Sequence, residues 1–224
     1  MAYGSGLPRI MPNLTRHCRP GLAEAVVARH PAPAVVLDMG AGGRKIAPHV
    51  TAVDFVALPG TDVVSDVCAT PFPDDHADCI IATGLIEHLE DDLAFLREAR
   101  RILKPGGEIH VEIPFLQQYH DDPIDVRRYT VDGLARVMRA QGFEPVDSGF
   151  HIGPGVAIAT LNAYYWGTVF EGESRAAKIL SNGAFFLASV VGWPLTRLDR
   201  WLMRKRSAHR LAFGVYCVAR KPPA

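Results

Sequence analysis

The 224 residues carry 24 Lys plus Arg against 24 Asp plus Glu, so the formal net charge is zero. That balance supplies no global field to draw in a polyanion, and no nucleic-acid motif is present, which argues against a nucleic-acid partner. The length suits one α/β domain with an added segment.

Cys18, Cys68, Cys79 and Cys217 form no CxxC pair. They read as reduced thiols of a cytoplasmic protein, with Cys79 and Cys217 inside apolar strands. No charged region followed by an apolar core opens the chain, so no secretory signal is expected. Basic residues do gather locally, at Arg197, Arg200, Arg204, Lys205, Arg206 and Arg210.

In chain order, residues 1–19 hold Gly4, Gly6, Pro8 and Pro12 without periodicity and read as an arm. Pro20 to His30 reads as a helix that Pro31 and Pro33 end. A first strand is expected over 34–38 and a second over 50–54. The roughly eleven residues between them leave room only for a short helix near Pro48. A third strand follows at 62–65 and a fourth at 77–83. From Asp91 to Leu103, Leu93, Leu96, Ala99, Ile102 and Leu103 recur at helical spacing, with Arg97, Glu98, Arg100 and Arg101 facing outward. Pro105-Gly106-Gly107 closes that helix and opens a fifth strand at 107–114. Thr130 is the expected N-cap of a helix over 131–141, which Gly142 closes. A sixth strand spans Phe143 to Phe150. The alternation through Phe213, Val215, Cys217 and Ala219 marks Leu211 to Arg220 as the last.

The first strand runs Val35-Val36-Leu37 into Asp38 and then a turn with Gly40, Gly42 and Gly43. Glycine belongs where the chain needs φ > 0 or where a ligand meets the backbone. At the carboxyl end of a parallel strand, such a turn floors the crevice in which open α/β sheets bind ligands. Position 45 is Lys, so the full Gly-x-Gly-x-x-Gly fingerprint is absent. Asp54 ends the second strand 16 residues past Asp38, close to where α/β nucleoside sites place a ribose-binding acid.

Four stretches occur in order: LDMGAGG, DVCATPFPDDHAD, GLIEHLED and FLREARRILKPGGEIHVEIPF. Together they resemble the class I S-adenosylmethionine-dependent methyltransferases, in particular the type 11 group, over roughly residues 33–150 with a weaker match at 212–220. The resemblance implies a doubly wound, mostly parallel seven-stranded α/β sheet of Rossmann-like kind, with a helical insertion before the last strand. Residues 1–33 would be the N-terminal arm and helix, 34–150 and 211–220 the core, and 151–210 the insertion. The implied cofactor is S-adenosyl-L-methionine. The backbone at Gly40 and Gly42 would approach its methionine part, Asp38 its amino group, Asp54 the ribose, and Asp66 with the Val67 N–H the adenine. Thr83 borders the same crevice.

Methyl transfer from a sulfonium needs alignment and, for some acceptors, removal of a proton. His88 in the Glu-His pair after the fourth strand and His120 after the fifth are the candidate bases. Tyr119, Asp125, Arg128 and Tyr129 are candidates for binding a small-molecule or glycan acceptor through a hydroxyl or amine. The alternative for that segment is a salt-bridged loop holding the sheet's edge. Some quinone-biosynthesis relatives carry a metal-binding Glu three residues before the Glu-His pair. Here that position is Gly84, and no metal is expected. From Ile179 to Thr196 there is no charged residue. A single spanning helix there would strand the last β-strand on the wrong side of a membrane. The insertion is therefore expected to be a lid, a homodimerisation element, or a segment lying on a membrane through 179–206. A lipid-linked acceptor and a non-catalytic S-adenosylmethionine-binding module stand as alternatives.

Overall fold

The computed structural model describes residues 21–120 and 124–223. The expected arm at 1–19, Pro20 and Cys18 lie outside the described residues. Helix α1 spans Leu22–Ala28. Strands β1 (Val36–Met39), β2 (Val50–Asp54), β3 (Val63–Val64) and β4 (Ala77–Thr83) follow. Then come α2 (Asp92–Ile102), β5 (Leu103–Pro114), α3 (Val131–Ala140) and β6 (Glu144–Ile152). Helices α4 (Pro154–Val169) and α5 (Arg175–Leu202) precede β7 (Gly214–Arg220).

The seven strands form one sheet in the order β3-β2-β1-β4-β5-β7-β6. The pairs β2–β3, β1–β2, β1–β4 and β4–β5 are parallel. Strand β7 runs antiparallel to β5, because Gly106 donates to Lys221 O while Phe115 donates to Phe213 O. Every residue of β1 is buried, as parallel strands covered on both faces require. Ala23, Val26 and Val27 of α1 cover one face by packing on Val36, Val50, Cys79, Ile81 and Val218. The chain winds outward in both directions from β1. This puts the topological switch point at the carboxyl ends of β1 and β4, where such sheets bind ligands.

Two expectations are corrected. No helix forms between β1 and β2, where residues 40–49 make turns instead. Gly40, Gly42 and Gly43 all sit at positive φ, and ten residues with that backbone cannot also hold a helical turn. Strand β5 also begins at Leu103 rather than 107: Leu103 pairs with Ala77 of β4, and Lys221, just past β7, exchanges backbone hydrogen bonds with Gly106 and Gly107.

The chain divides into two compact units. One comprises the described residues of 21–114, 124–149 and 215–223, and holds α1 to α3 with nearly all of the sheet. The other comprises 115–120 and 150–214. The inserted residues are a pair of packed helices, α4 and α5, followed by a 3-10 turn at Ala208–Leu211.

Helix α2 is set by its ends. Asp91 caps it by accepting the Ala94 N–H at 2.8 Å, and Arg100 and Arg101 lie in its last turn, opposite in sign to the helix dipole. Asp91→Ala should lower unfolding stability by about 1 kcal/mol. A urea midpoint equal to that of the parent would contradict the cap.

Candidate functional site

The site grows from the end of β1. Asp38 is 1% exposed and points from a fully buried strand. Its Oδ2 meets no hydrogen-bond donor among the described residues. The nearest cation is Arg44, whose Nη2 lies 3.9 Å away. The same guanidinium donates to Thr83 Oγ1 at 3.3 Å and stands 4.0 Å from Glu24 of α1. Burial pushes the Asp38 carboxyl up to about 6, against the pull of Arg44. A buried acid without a donor is costly. Here that cost falls at the mouth of the crevice, where an incoming cation would relieve it.

The glycine turn is held from below. Gly40 and Ala41 donate their N–H groups to Val53 O at 2.9 and 3.1 Å, and Gly42 donates to Asp54 Oδ2 at 2.8 Å. A Cβ on Gly42 would meet nothing within 4 Å, so open space lies above it. A Cβ on Gly40 would strike Leu85 at 2.7 Å, which ties the turn to the segment after β4. The glycine N–H groups are thus already used, and what this turn offers a ligand is close approach. Asp54 also accepts the Val56 N–H at 3.1 Å. Each of its oxygens carries a second lone pair for a further donor. Asp66 is exposed and accepts the Cys68 N–H at 2.8 Å, while Val67 beside it is buried. The acids that end β1 and β2 and the one just past β3 therefore lie along one edge of the sheet.

After β4, Ile86–His88 makes a single 3-10 turn. Glu87 is 1% exposed and its Oε2 has no hydrogen-bond partner among the described residues. Burial raises its carboxyl to about 7, against its own backbone N–H and the His88 and Arg128 charges. The His88 side chain is largely buried; its Nδ1 lies 2.5 Å from Ile124 O, and its Nε2 lies 3.8 Å from Glu87 Oε1. A carbonyl can only accept, so Nδ1 carries the proton and the neutral ring's lone pair sits on Nε2.

The segment after residue 123 is stapled onto this turn. Val126 donates to Glu87 O at 2.9 Å. Arg127 pairs with Asp92 and donates to Leu89 O and Glu90 O at 2.9 and 2.7 Å. Tyr129 Oη donates to Asp92 Oδ2 at 2.6 Å, and Arg128 makes a two-pronged pair with Asp125. Asp125, Arg128 and Tyr129 are therefore partnered within the fold, as the salt-bridged-loop alternative expects. Tyr119 and His120 belong to the other unit. Tyr119 is exposed, and His120 Nδ1 lies 3.3 Å from the Gln117 amide nitrogen. Arg44 went unnoticed from sequence because it sits in a turn without periodicity, and Glu87 figured only as the first member of the Glu-His pair because its burial shows only in the packing.

Residues 17–111 match the family described as a methyltransferase domain. A Mycolicibacterium smegmatis protein named "Probable S-adenosylmethionine-dependent methyltransferase" is 30% identical over 115 residues, 48% of this chain and 44% of that protein. A "Ubiquinone/menaquinone biosynthesis C-methyltransferase" of Caulobacter vibrioides is 47% identical over 47 residues, 21% of this chain and 19% of that protein. The chain thus spans less than half the length of these curated relatives. Among solved structures, the Burkholderia thailandensis 1,6-didemethyltoxoflavin-N1-methyltransferase, with bound 1,6-didemethyltoxoflavin and S-adenosylhomocysteine, superposes with a TM-score of 0.57. It is 19% identical, over 94% of this chain and 79% of that one. The [4+2]-cyclase SpnF superposes with a TM-score of 0.54 at 17% identity, over 91% of this chain and 81% of that one. At such identities the likeness is one of fold, and the two names show that this fold hosts more than one chemistry.

The two raised carboxyls set a pH dependence. A folded-state pKa above the unfolded value means that the folded protein binds the extra proton, so stability falls as pH rises through the window between the two. For Asp38 the window runs from 3.8 to about 6, and for Glu87 from 4.5 to about 7. The unliganded protein should therefore lose melting temperature between pH 4 and 7. Asp38→Asn should flatten that slope and stabilise the protein by roughly 2 kcal/mol at pH 7.5. A variant that melts lower than the parent at pH 7.5 would contradict the uncompensated charge.

Proposed function

We propose that the chain is a class I methyltransferase of the type 11 group, that it binds S-adenosylmethionine at the β1–β4 switch point, and that it transfers the methyl group to a hydroxyl or amine of a small molecule or glycan. The observation that carries this reading is the Asp38–Arg44 pair. An unsatisfied buried carboxylate oxygen and a guanidinium nitrogen stand 3.9 Å apart beside an open glycine turn. Together they complement a zwitterionic amino-acid head, with Asp38 facing its ammonium and Arg44 its carboxylate. Asp54 takes the ribose hydroxyls on its remaining lone pairs. Asp66 and the Val67 N–H take the adenine edge, and Thr83 helps hold Arg44 in place.

When bound, the cofactor supplies a methyl group already activated on a sulfonium, so alignment and deprotonation fall to the protein. In this reading His88 takes the acceptor's proton. Its Nδ1–H is fixed by the Ile124 carbonyl, its Nε2 carries the lone pair, and the Glu87 carboxyl, whose Oε1 lies 3.8 Å from that same nitrogen, favours the imidazolium that forms. The Arg127, Arg128, Asp125 and Tyr129 pairings fix the loop that carries Ile124 and hence hold the tautomer of His88.

Calorimetric titration with S-adenosylmethionine and S-adenosylhomocysteine tests the binding half. Asp38→Ala, Arg44→Ala and Asp54→Ala should each weaken both ligands by about tenfold or more. Undiminished affinity in all three would refute the assignment. His88→Ala should keep cofactor affinity and cut labelled-methyl incorporation by roughly two to four orders of magnitude. Intact transfer would return His88 to a structural role. Tight binding with no transfer to any acceptor in a cell extract would favour the non-catalytic module.

A further inference from the structure

The α4–α5 pair is built inside out. The buried face of α5 carries Ser181, Phe185, Ala188, Ser189, Gly192 and Thr196, mostly small or polar. Its exposed face carries Ile179 (64% exposed), Phe186, Leu187 (63%), Val190 and Val191 (68%). A helix packed against a protein core in water shows the opposite pattern. Across the seam, α4 presents Gly155, Ala159, Ala163 and Gly167 at a spacing of four. The approach is close: a Cβ on Gly192 would stand 3.1 Å from Ala159, and one on Gly155 would stand 2.1 Å from Leu195 O. Ser181 Oγ donates across the seam to Gly167 O at 2.7 Å. Small residues in the seam and large apolar residues outside are how helices pair in lipid.

Charge is zoned along the axes of the helices, not around their circumference. No charged residue occurs from Ile152 to Phe170 or from Ile179 to Thr196. The 16 residues of α4 and the 18 uncharged residues of α5 cover about 24 and 27 Å, close to the hydrocarbon thickness of a bilayer. A helix lying in a membrane surface would carry charge along one side over its whole length. The tip between the helices holds Glu171, Glu173, Arg175 and Lys178, which cancel. The other end holds exposed Arg197, Arg200, Arg204, Lys205, Arg206 and Arg210, while Asp199 there is buried and accepts the Gly155 and Val156 N–H groups that open α4. Arg197 lies over Trp193 and Lys205 over Trp201 at that basic end; Tyr165, Trp166 and Phe170 cluster at the other. Aromatic residues at both ends of an uncharged span, with the basic excess at one, are the marks of two interfaces and an orientation.

We propose that α4 and α5 cross a lipid bilayer as a hairpin, with the Glu171–Lys178 tip on the far side and the basic end against anionic headgroups on the side of the sheet. The objection to a single spanning helix does not apply, because two crossings return the chain to β7 on the side where β6 left it. The inference is independent of the methyltransferase reading.

The test uses the full chain expressed in a bacterial host. It should sediment with membranes and stay there through alkaline carbonate. A membrane-impermeant maleimide should label Glu173→Cys in intact cells and Arg206→Cys only after lysis. Leu187→Glu with Val191→Glu should release the protein. A soluble monomer or dimer, release by carbonate, or no labelling of Glu173→Cys in intact cells would each overturn the proposal. Cofactor titration of the detergent-extracted protein is read separately, so either reading can fail without the other.

Discussion

The arrangement at the crevice depends on one uncompensated charge. Asp38 lies near the end of a strand that is buried on both faces, so its carboxylate cannot turn to water, and no hydrogen-bond donor meets Oδ2 among the described residues. Arg44 stands close enough to attract it and too far to bond it. The glycine turn above is held by Val53 and Asp54, which leaves the space over Gly42 open. A site with an unmet negative charge, a reachable positive one and an open floor is what the proposed zwitterionic ligand head requires.

The second half of the site repeats this arrangement at Glu87, another buried acid with an unpartnered oxygen. Here the fold surrounds the acid with a network of fixed partners. His88, the Ile124 carbonyl, Val126, and the Arg127–Asp92 and Arg128–Asp125 pairs lock one short turn and one loop together. Such a lock fixes which imidazole nitrogen carries the proton, which is what a base must have settled before its acceptor arrives.

Much of this frame was legible in the sequence. The apolar runs at 50–54 and 77–83 are the observed strands β2 and β4, and Thr130 caps α3 as its position suggested. The glycine turn was legible because only glycine adopts those φ values at no cost. The failures have physical causes. A helix between β1 and β2 was expected from fold habit, although ten glycine-rich residues cannot form one. The partners of Arg127 and Tyr129 lie 35 and 37 residues away on Asp92, a distance over which no local pattern reports. The insertion was expected to be helical, as a lid, a dimerisation element or a segment on a membrane surface, and the close pairing of its helices rests on the four-residue spacing of Gly155, Ala159, Ala163 and Gly167. Only the exposure of the opposite faces shows that these small residues are the inside.

The central claim is that Asp38 waits for a cation. It is tested most directly by titrating S-adenosylmethionine at pH 6 in two buffers of different ionisation enthalpy, which counts the protons exchanged on binding. With the Asp38 carboxyl near 6, pairing with the ligand ammonium should release about half a proton. Asp38→Asn should remove most of that release along with most of the affinity. Binding without proton release, or the same release from the Asn variant, would show that the charge at the end of β1 does not hold the ligand.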